Sequence, residues 1–301
     1  MPRATRNGAA ATAEKGIPAA AQLLDPSSAS VFVYASLNCV LFFYKVPVAA
    51  VTPLLEGTGL VPGVFDGGAL INLNFERYAG VSSNYFEPTS EVEFNIVSYR
   101  AEDEAAVPAL SVDAYLSGYD QTKLYGNFRA HVACSDPTAV FFGTISGEIK
   151  MFATLLYNVP SLNTPAVTDW WLRVLDPNAA SGANTPYVFD LHACFQNTRP
   201  QISPFSPLRD YAYITKPDPV TGQPQRYIVL SLRNVLGQFQ RWTPGPDTLQ
   251  LHFGTSTCPM AVAMQSVLQS AEPVGILVFD SPPAASSTHL TYTVPVKTEV
   301  A

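Results

Sequence analysis

Apolar and polar residues alternate along much of the chain, in short segments rich in β-branched and aromatic side chains and bounded by Pro, Gly, Asn and Asp. In SEVEFNIVSY, Val92, Phe94 and Ile96 fall on one face of an extended strand, and Glu91 and Glu93 fall on the other. This period of two predicts a mainly antiparallel β protein. The predicted strands are 69–78, 90–99, 127–134, 150–157, 169–175, 187–195, 226–235, 248–253 and 274–280.

Two short helices are predicted between the strands. PVAAVTPLLE, residues 47–56, has a proline in its first turn, and the internal Pro53 limits its length or kinks it. DPTAVFFGTISG begins with Asp136 as N-cap and Pro137 at N1, and it ends at Gly147. The fold class is therefore mainly β with a few short helices (α+β).

The strand pattern favours a single domain over residues 31–282, with a flexible N-terminal tail at 1–30 and a C-terminal extension at 283–301. The tail contains Arg and Ala but no secretory apolar core, and organelle targeting stays open. The Pro-rich segment 197–225 is expected to form a long excursion or lid, because strand patterning resumes on both sides of it.

Charge and composition exclude several classes of partner. A net charge of −7 and a pI near 5.0 disfavour nucleic acid and anionic membranes, which require a basic face. The apolar run 31–46 is too short and too interrupted for a membrane-spanning helix. The four cysteines are far apart, which predicts reduced thiols in an intracellular, cytoplasmic protein.

Local motifs for metal, nucleotide or serine-hydrolase chemistry are missing. The chain has no CxxC pair, no HExxH, no GxSxG and no phosphate-binding glycine loop. The histidines are scattered, so a metal site has no support from spacing, although one assembled by the fold stays open. No metal and no cofactor are predicted.

Lys150 stands between an isoleucine and Met151 at the junction of the predicted helix and an apolar strand. Lysine is rarely buried, and a strand-end lysine usually reaches water past an apolar stem. The alternative is a lysine placed for chemistry. Glu148 is close enough to influence its charge, but a surface position is expected for it.

The order of several motifs resembles the acetoacetate decarboxylase superfamily. SSNYFEPTSEVEFNIVSY is followed by the Asp-Pro helix, by Lys150 and then by WTPGPDTLQLHFGTSTCPMAVAMQSVLQSAEPVGILVFD. The resemblance runs from about Phe42 to about Pro282, and its C-terminal segment is the most specific part.

This resemblance implies a β-barrel that encloses an apolar pocket, a homo-oligomer and cofactor-independent chemistry. It implies that Lys150 forms a Schiff base with the substrate and that Glu87 faces the pocket as acid, base or electrostatic partner. Lys45 falls near the arginine that meets the substrate carboxylate in the family. Tyr85 and Met151, which adjoin these positions, are expected to contact the substrate, and Met151 replaces a second lysine of the family motif.

A lysine nucleophile must be uncharged, whereas free lysine is protonated at neutral pH. Burial would lower the pKa of Lys150, and Ile149, Met151, Phe152 and Leu155 are expected to supply the apolar surroundings. Acetoacetate decarboxylase is itself the standard example of a lysine activated in this way.

Two classes of function follow. The first is a carbon–carbon lyase of specialised metabolism that acts on a small keto acid or a larger carbonyl compound through an imine, with decarboxylation, aldol chemistry, dehydration or cyclisation as the reaction. The second is a pocket protein or cyclase that binds its ligand without a covalent bond, in which Lys150 only donates a hydrogen bond or polarises the ligand.

Overall fold

A computed structural model describes most of the chain between residues 30 and 295. The described residues are 30–80, 88–159, 168–179, 185–196, 198–205, 209–234, 237–245, 247–280 and 288–295. The sequence-based expectation for the N-terminal tail therefore lies almost entirely outside them.

Strands dominate the described residues, as the alternating pattern predicts. They are β1 (Ser30–Val46), β2 (Leu60–Pro62), β3 (Val64–Phe65), β4 (Gly68–Gly80), β5 (Thr89–Arg100), β6 (Gly126–Cys134), β7 (Lys150–Phe152), β8 (Leu155–Asn158), β9 (Asp169–Leu175), β10 (Tyr187–Cys194), β11 (Gln201–Ser203), β12 (Arg209–Pro217), β13 (Pro224–Asn234), β14 (Phe239–Trp242), β15 (Leu249–Phe253), β16 (Glu272–Asp280) and β17 (Thr288–Pro295).

The helices among the described residues are short. They are α1 (Val48–Leu55), α2 (Val112–Leu116), α3 (Pro137–Ile145), α4 (Pro259–Leu268) and a 3₁₀ helix (Ala101–Ala106). α1 and α3 confirm the two predicted helices, whereas α4 was not predicted. The mainly β class with few helices is confirmed.

Two sheets are present in the described part of the chain. The larger has 13 strands, and the smaller has the order β15-β10-β9-β8. β1 is central to the larger sheet, because one edge pairs with β4 and the other with β16 and β17. β17 lies in the predicted C-terminal extension and pairs with both β1 and β13.

The alternation predicted for β5 is present, but both of its faces are buried. Val92, Phe94 and Ile96 pack in an apolar cluster with residues of β1, β4, β9 and β10. Glu91 and Glu93 point to the opposite side, and farther along that face Val97 and Tyr99 join a second, aromatic-rich cluster. The larger sheet therefore buries carboxylates in its interior, which the alternation alone did not predict.

The single strand predicted over 150–157 is two strands in the structure. β7 runs parallel to β6 in the larger sheet, whereas β8 pairs with β9 in the smaller sheet. The chain changes sheet at Ala153 and Thr154, which belong to neither strand. An unbroken apolar run does not reveal such a change of sheet.

The expected excursion over 197–225 is also wrong as a description of this segment. β11 and β12 lie within it, and β12 forms a long antiparallel hairpin with β13. The turn is closed by Asp218, whose Oδ1 accepts hydrogen bonds from the amides of Val220 and Thr221. Two of the prolines that suggested a loop are the paired end residues of the hairpin strands, Pro217 of β12 and Pro224 of β13. Asp210 and Arg233 of the same hairpin are buried.

α3 has the predicted boundaries. The Asp136 carboxylate accepts a hydrogen bond from the Ala139 amide at 2.8 Å, which caps the first turn. Gly147 follows the C-cap with a φ of 91°, and an added Cβ there would lie 2.2 Å from the Tyr213 carbonyl oxygen. Only glycine fits this turn, which ends α3 and starts the approach to β7.

Three smaller features complete the description of the fold. All four cysteines are free thiols. Trp170 is buried and Trp171 is exposed, as expected for neighbours on a regular strand. Within the described ranges, no helix has the length and apolar character needed to cross a membrane.

Candidate active site

Lys150 is positioned by the junction between α3 and β7. Its backbone pairs with Val132 of β6, which fixes the start of β7 on the edge of the larger sheet. Gly143 of α3 provides the room for its side chain, because an added Cβ would lie 2.5 Å from Lys150 Cδ and 2.5 Å from Glu148 Oε2. The helix thus closes over the lysine at the one residue that has no side chain.

The Lys150 ammonium is held between two carboxylates. Nζ lies 2.7 Å from Glu91 Oε2 and 3.2 Å from Glu148 Oε2. The side chain of Lys150 is only 5% exposed, and that of Glu91 is 4% exposed. Lys150 therefore does not reach water past an apolar stem, and the expected surface position of Glu148 is wrong.

These ion pairs reverse the expected effect on the lysine. Burial lowers the pKa of Lys150, but Glu91 and Glu148 raise it by a larger amount, so the pKa lies well above its ordinary value. The expectation of a lysine with a lowered pKa in apolar surroundings is therefore wrong for this state. In the structure Lys150 is an ammonium ion.

The carboxylate of Glu148 links Lys150 to a buried arginine. Arg129 binds Glu148 through Nη1, Glu93 through Nε at 2.8 Å and Asp210 through Nη2 at 2.9 Å. Burial lowers the pKa of Arg129, but its three carboxylate partners raise it well above the ordinary value. Arg129, Glu93 and Asp210 are almost completely buried and Glu148 is mostly buried, so their charges depend on one another more than on water.

Arg233 joins the same group of ion pairs through Asp210 and adds Glu76 to it. It binds Glu76, and its Nη2 lies 3.5 Å from Asp210 Oδ2. We use the name charged cluster for eight residues, five acidic and three basic: Glu76, Glu91, Glu93, Glu148, Asp210, Arg129, Lys150 and Arg233.

Amide side chains fix the orientation of the carboxylates. Asn74 Nδ2 donates to Glu76 at 2.7 Å and to Glu93 at 2.8 Å, and Asn95 Nδ2 donates to Glu93 at 2.9 Å. The Tyr78 hydroxyl donates to the same Glu91 oxygen that binds Lys150, at 3.1 Å. Burial raises the pKa of Glu93 to about 7, although Arg129 opposes this effect.

Carboxylates of this cluster could also bind a metal ion. Glu76, Glu91 and Glu93 each offer an oxygen atom, and these atoms lie within 4.8 Å of one another. Such an all-oxygen set suits a hard divalent cation. In the structure, however, the same three carboxylates bind Arg233, Lys150 and Arg129.

The residues next to Lys150 do not form the expected apolar surroundings. Ile149 is 57% exposed and Phe152 is 51% exposed. Met151 is half-buried and packs against the apolar cluster. Since successive strand residues face opposite ways, Met151 points away from the charged cluster. Of the expected group, Leu155 is buried, and it too belongs to the apolar cluster.

Lys45 is not brought close to Lys150. Its partner on β4 is Leu70, whereas Glu76, six residues farther along β4, pairs with Glu91. At about 3.3 Å per residue this separation is about 20 Å along the sheet. Lys45 is 33% exposed and lies 3.7 Å from Glu272.

Tyr85 and Glu87 lie outside the described residues. The carboxylate that contacts Lys150 in the described part of the chain is Glu91, which sequence analysis placed on a strand face but not in the site. The signal was present: Glu91 and Glu93 share one face of a strand whose other face is apolar. Arg129 and Arg233 carried a similar signal, since each interrupts a strand of mostly apolar residues.

Comparison with known proteins places this geometry in a structural context. No family model and no curated protein matches the chain. Solved structures do match. An acetoacetate decarboxylase-like enzyme from Sphingomonas wittichii RW1 is 14% identical, with a TM-score of 0.59 over 91% of this chain and 95% of that chain.

Two further structures show the same similarity. The enduracididine biosynthesis enzyme MppR, complexed with the condensation product of pyruvate and imidazole 4-carboxaldehyde, is 13% identical, with a TM-score of 0.58 over 89% of each chain. Acetoacetate decarboxylase from Legionella pneumophila is 10% identical, with a TM-score of 0.54 over 91% of this chain and 90% of that chain. At such identities the comparisons establish the fold, and the resemblance seen in the sequence is confirmed at that level: the chain has the acetoacetate decarboxylase-like fold.

Proposed function

We propose that this protein is a cofactor-independent enzyme of the lyase type, in which Lys150 forms an imine with a carbonyl substrate. One observation carries the proposal: a buried lysine at the position expected from the sequence has a carboxylate, Glu91, 2.7 Å from its nitrogen. The fold supports it, since the similar structures include acetoacetate decarboxylases. MppR, of the same fold, is described in complex with pyruvate and with a condensation product of pyruvate.

Because its pKa is raised, Lys150 is protonated and must lose a proton before it can attack a carbonyl group, and Glu91 can accept that proton. When a carbonyl compound arrives, the ammonium passes a proton to Glu91, and the neutral amine attacks the carbonyl carbon. The carbinolamine then loses its hydroxyl as water, with the proton returned by Glu91. The balance is one ammonium and one carbonyl converted into one protonated imine and one water, and Glu91 ends as a carboxylate.

Glu148 marks the side from which a substrate can approach. Its side chain is 12% exposed, against 4% for Glu91, so it is the carboxylate of Lys150 nearer to solvent. Movement of Glu148 toward Arg129 alone would uncover the lysine nitrogen while leaving Glu91 in place. Arg129 is thus placed to hold the displaced carboxylate.

The protonated imine would serve as an electron sink. Loss of CO₂ or of a proton from the adjacent carbon, and cleavage or formation of a carbon–carbon bond there, all place an electron pair that the iminium can accept. A keto acid or a larger carbonyl compound therefore fits the mechanism, and the reaction is a decarboxylation, an aldol step, a dehydration or a cyclisation.

The expected barrel is part of this proposal. The pairings run from β1 through β17, β13, β12, β6, β5 and β4 and return to β1, which supports a barrel whose interior holds the charged cluster. Its lysine end is charged rather than apolar. The homo-oligomer implied by the resemblance, and a cytoplasmic location, are likewise proposals.

A second function is favoured by one observation. Because Glu91 and Glu148 hold Lys150 as an ammonium ion, the lysine is also suited to donate hydrogen bonds to a carbonyl oxygen without reacting. A non-covalent binding protein or cyclase would use it in this way.

Borohydride trapping separates the two functions. The protein is mixed with pyruvate, acetoacetate or butanone, reduced, and weighed by intact mass spectrometry. Imine chemistry predicts one added ligand on the wild type and none on Lys150→Arg, which keeps the charge. Glu91→Gln should trap more slowly. No adduct with any ketone between about pH 6 and 10, the range below the ordinary lysine pKa, would sink the imine and leave the non-covalent function.

A further inference from the structure

The charged cluster contains more negative than positive charge. Five carboxyl groups surround three cations, so the cluster keeps an excess of negative charge even where Glu93, whose pKa is raised to about 7, is protonated. Every side chain except that of Glu148 is almost completely buried. Burial of uncompensated charge is costly, so such an excess is expected to attract a positive group or to repel a negative one.

Every cation of the cluster is already in use. Within the described residues, Lys150 contacts two carboxylates, Arg129 contacts three and Arg233 contacts two. Lys45, which was expected to receive a substrate carboxylate, lies about 20 Å away along the sheet by strand register. A carboxylate on the substrate would therefore enter a site where negative groups outnumber positive ones.

Glu76 offers a place for a positive group. It is completely buried, one of its oxygens binds Arg233 and Asn74, and the other, Oε2, has no hydrogen-bond partner in the described structure. Glu76 pairs with Glu91 across β4 and β5, and one oxygen of each lies within 4.8 Å of the other. An ammonium group a short distance from the reacting carbonyl could bind there.

From this geometry we infer that the carbonyl substrate carries a positive charge, in the form of an amine near the carbonyl, and not a free carboxylate. This narrows the reactions proposed above to the aldol step, the dehydration and the cyclisation, because a decarboxylation needs a carboxylate on the substrate. The inference rests on the proposed imine at Lys150 and names the substrate class that this site would accept. At the effective dielectric of such sites, the attraction between two opposite unit charges about 4 Å apart strengthens binding roughly a thousandfold relative to a neutral ligand. The effect is therefore large enough to measure.

The experiment uses three ketones that differ in one group. Aminoacetone, butanone and acetoacetate share an acetyl-methylene unit and carry an ammonium, a methyl and a carboxylate. Trapping rates with borohydride are measured for the wild type and for Glu76→Gln, because the ratio between the two proteins cancels the intrinsic reactivity of each ketone. Asp103→Asn, which alters a buried carboxylate of a separate ion pair with Arg100, is the matched control.

We expect the rate of aminoacetone trapping to be at least about tenfold lower in Glu76→Gln than in the wild type, which requires only a small part of the thousandfold effect of the full charge attraction. Butanone should be nearly unaffected and acetoacetate should trap faster, with Asp103→Asn resembling the wild type. If the wild-type protein traps acetoacetate faster than aminoacetone, either alone or after magnesium or calcium ions are added, the inference about the substrate is wrong, but the proposed imine is still supported. If no ketone is trapped, the proposed function fails first.

Discussion

Replacing Lys150 by methionine tests the buried ion pairs around it. The change keeps an unbranched apolar side chain, one atom shorter than lysine, and removes the charge. Glu91 keeps a hydrogen bond from Tyr78, and Glu148 keeps Arg129. Removing one partner of a buried pair typically costs about 3–5 kcal/mol, because the remaining charge stays buried. We expect the free energy of unfolding to fall by about this amount at pH 7.5, measured by urea denaturation.

The double variant Lys150→Met/Glu91→Gln identifies the cause. Glutamine removes the stranded negative charge, so the double variant should recover most of the loss, within about 1–2 kcal/mol of the wild type. If the double variant is less stable than Lys150→Met alone, or if Lys150→Met costs less than about 0.5 kcal/mol, the ion-pair account of this lysine is refuted.

The pH dependence provides an independent check with a fixed sign. The folded-state pKa of Lys150 is raised, so its contribution is fully present below the unfolded-state pKa of about 10.4. It is lost as the pH rises above that value toward the folded-state pKa. The stability difference between wild type and Lys150→Met should therefore be constant from pH 7 to about 10 and shrink at higher pH.

Three further predictions concern the neighbours of Lys150. Burial raises the pKa of Glu93 from 4.5 to about 7, so the folded state binds more protons than the unfolded state between these values. The unfolding free energy of the wild type, measured with urea at each pH, should therefore fall by up to about 3 kcal/mol relative to that of Glu93→Gln as the pH rises from 4.5 to 7, and the same pH dependence in both proteins would contradict this. Gly143→Ala should displace the side chains of Lys150 and Glu148 and abolish ketone trapping, while the circular dichroism spectrum stays close to that of the wild type. Unchanged trapping would show that the space beside Gly143 is not needed for the reaction. In Gly147→Ala the added methyl group would clash with the backbone carbonyl of Tyr213. We expect the free energy of unfolding to fall by more than about 1 kcal/mol, and an unchanged thermal midpoint would contradict this.

The fold was predictable from the sequence where one local signal decided the structure. Alternation gave β4, β5, β6, β13 and β16 of the larger sheet and β9, β10 and β15 of the smaller one, but it did not give β1, the central strand of the larger sheet. Asp136, Pro137 and Gly147 gave the ends of α3. The prediction failed at Ala153 and Thr154, where two segments of the same apolar pattern join different sheets. It also failed at the β12–β13 hairpin, where prolines at the strand ends suggested a loop. Pairing between distant strands is not encoded in the local pattern.

Only part of the candidate site was predicted, again because contacts between distant strands are not encoded in the local pattern. The position of Lys150 between α3 and β7 followed from the chain order. Its partner Glu91 lies on β5, and the rest of the charged cluster apart from Glu148 lies on β4, β5, β6, β12 and β13, so these residues meet only in the fold. The neighbours in sequence were therefore misleading: Ile149 and Phe152 are exposed and Met151 faces the other way. A polar residue inside an apolar strand was the more useful signal, as Glu91 and Arg129 show.

The central claim is that Lys150 reacts with a carbonyl group, and the most direct measurement is the location of the trapped adduct. The protein is reduced with borohydride in the presence of the ketone that reacts fastest, digested, and sequenced by tandem mass spectrometry. The account predicts a modified lysine in the peptide that contains Lys150, with Lys45, Lys123 and Lys216 unmodified. An adduct on any of those three lysines at equal or greater yield, or an unmodified Lys150, would contradict it.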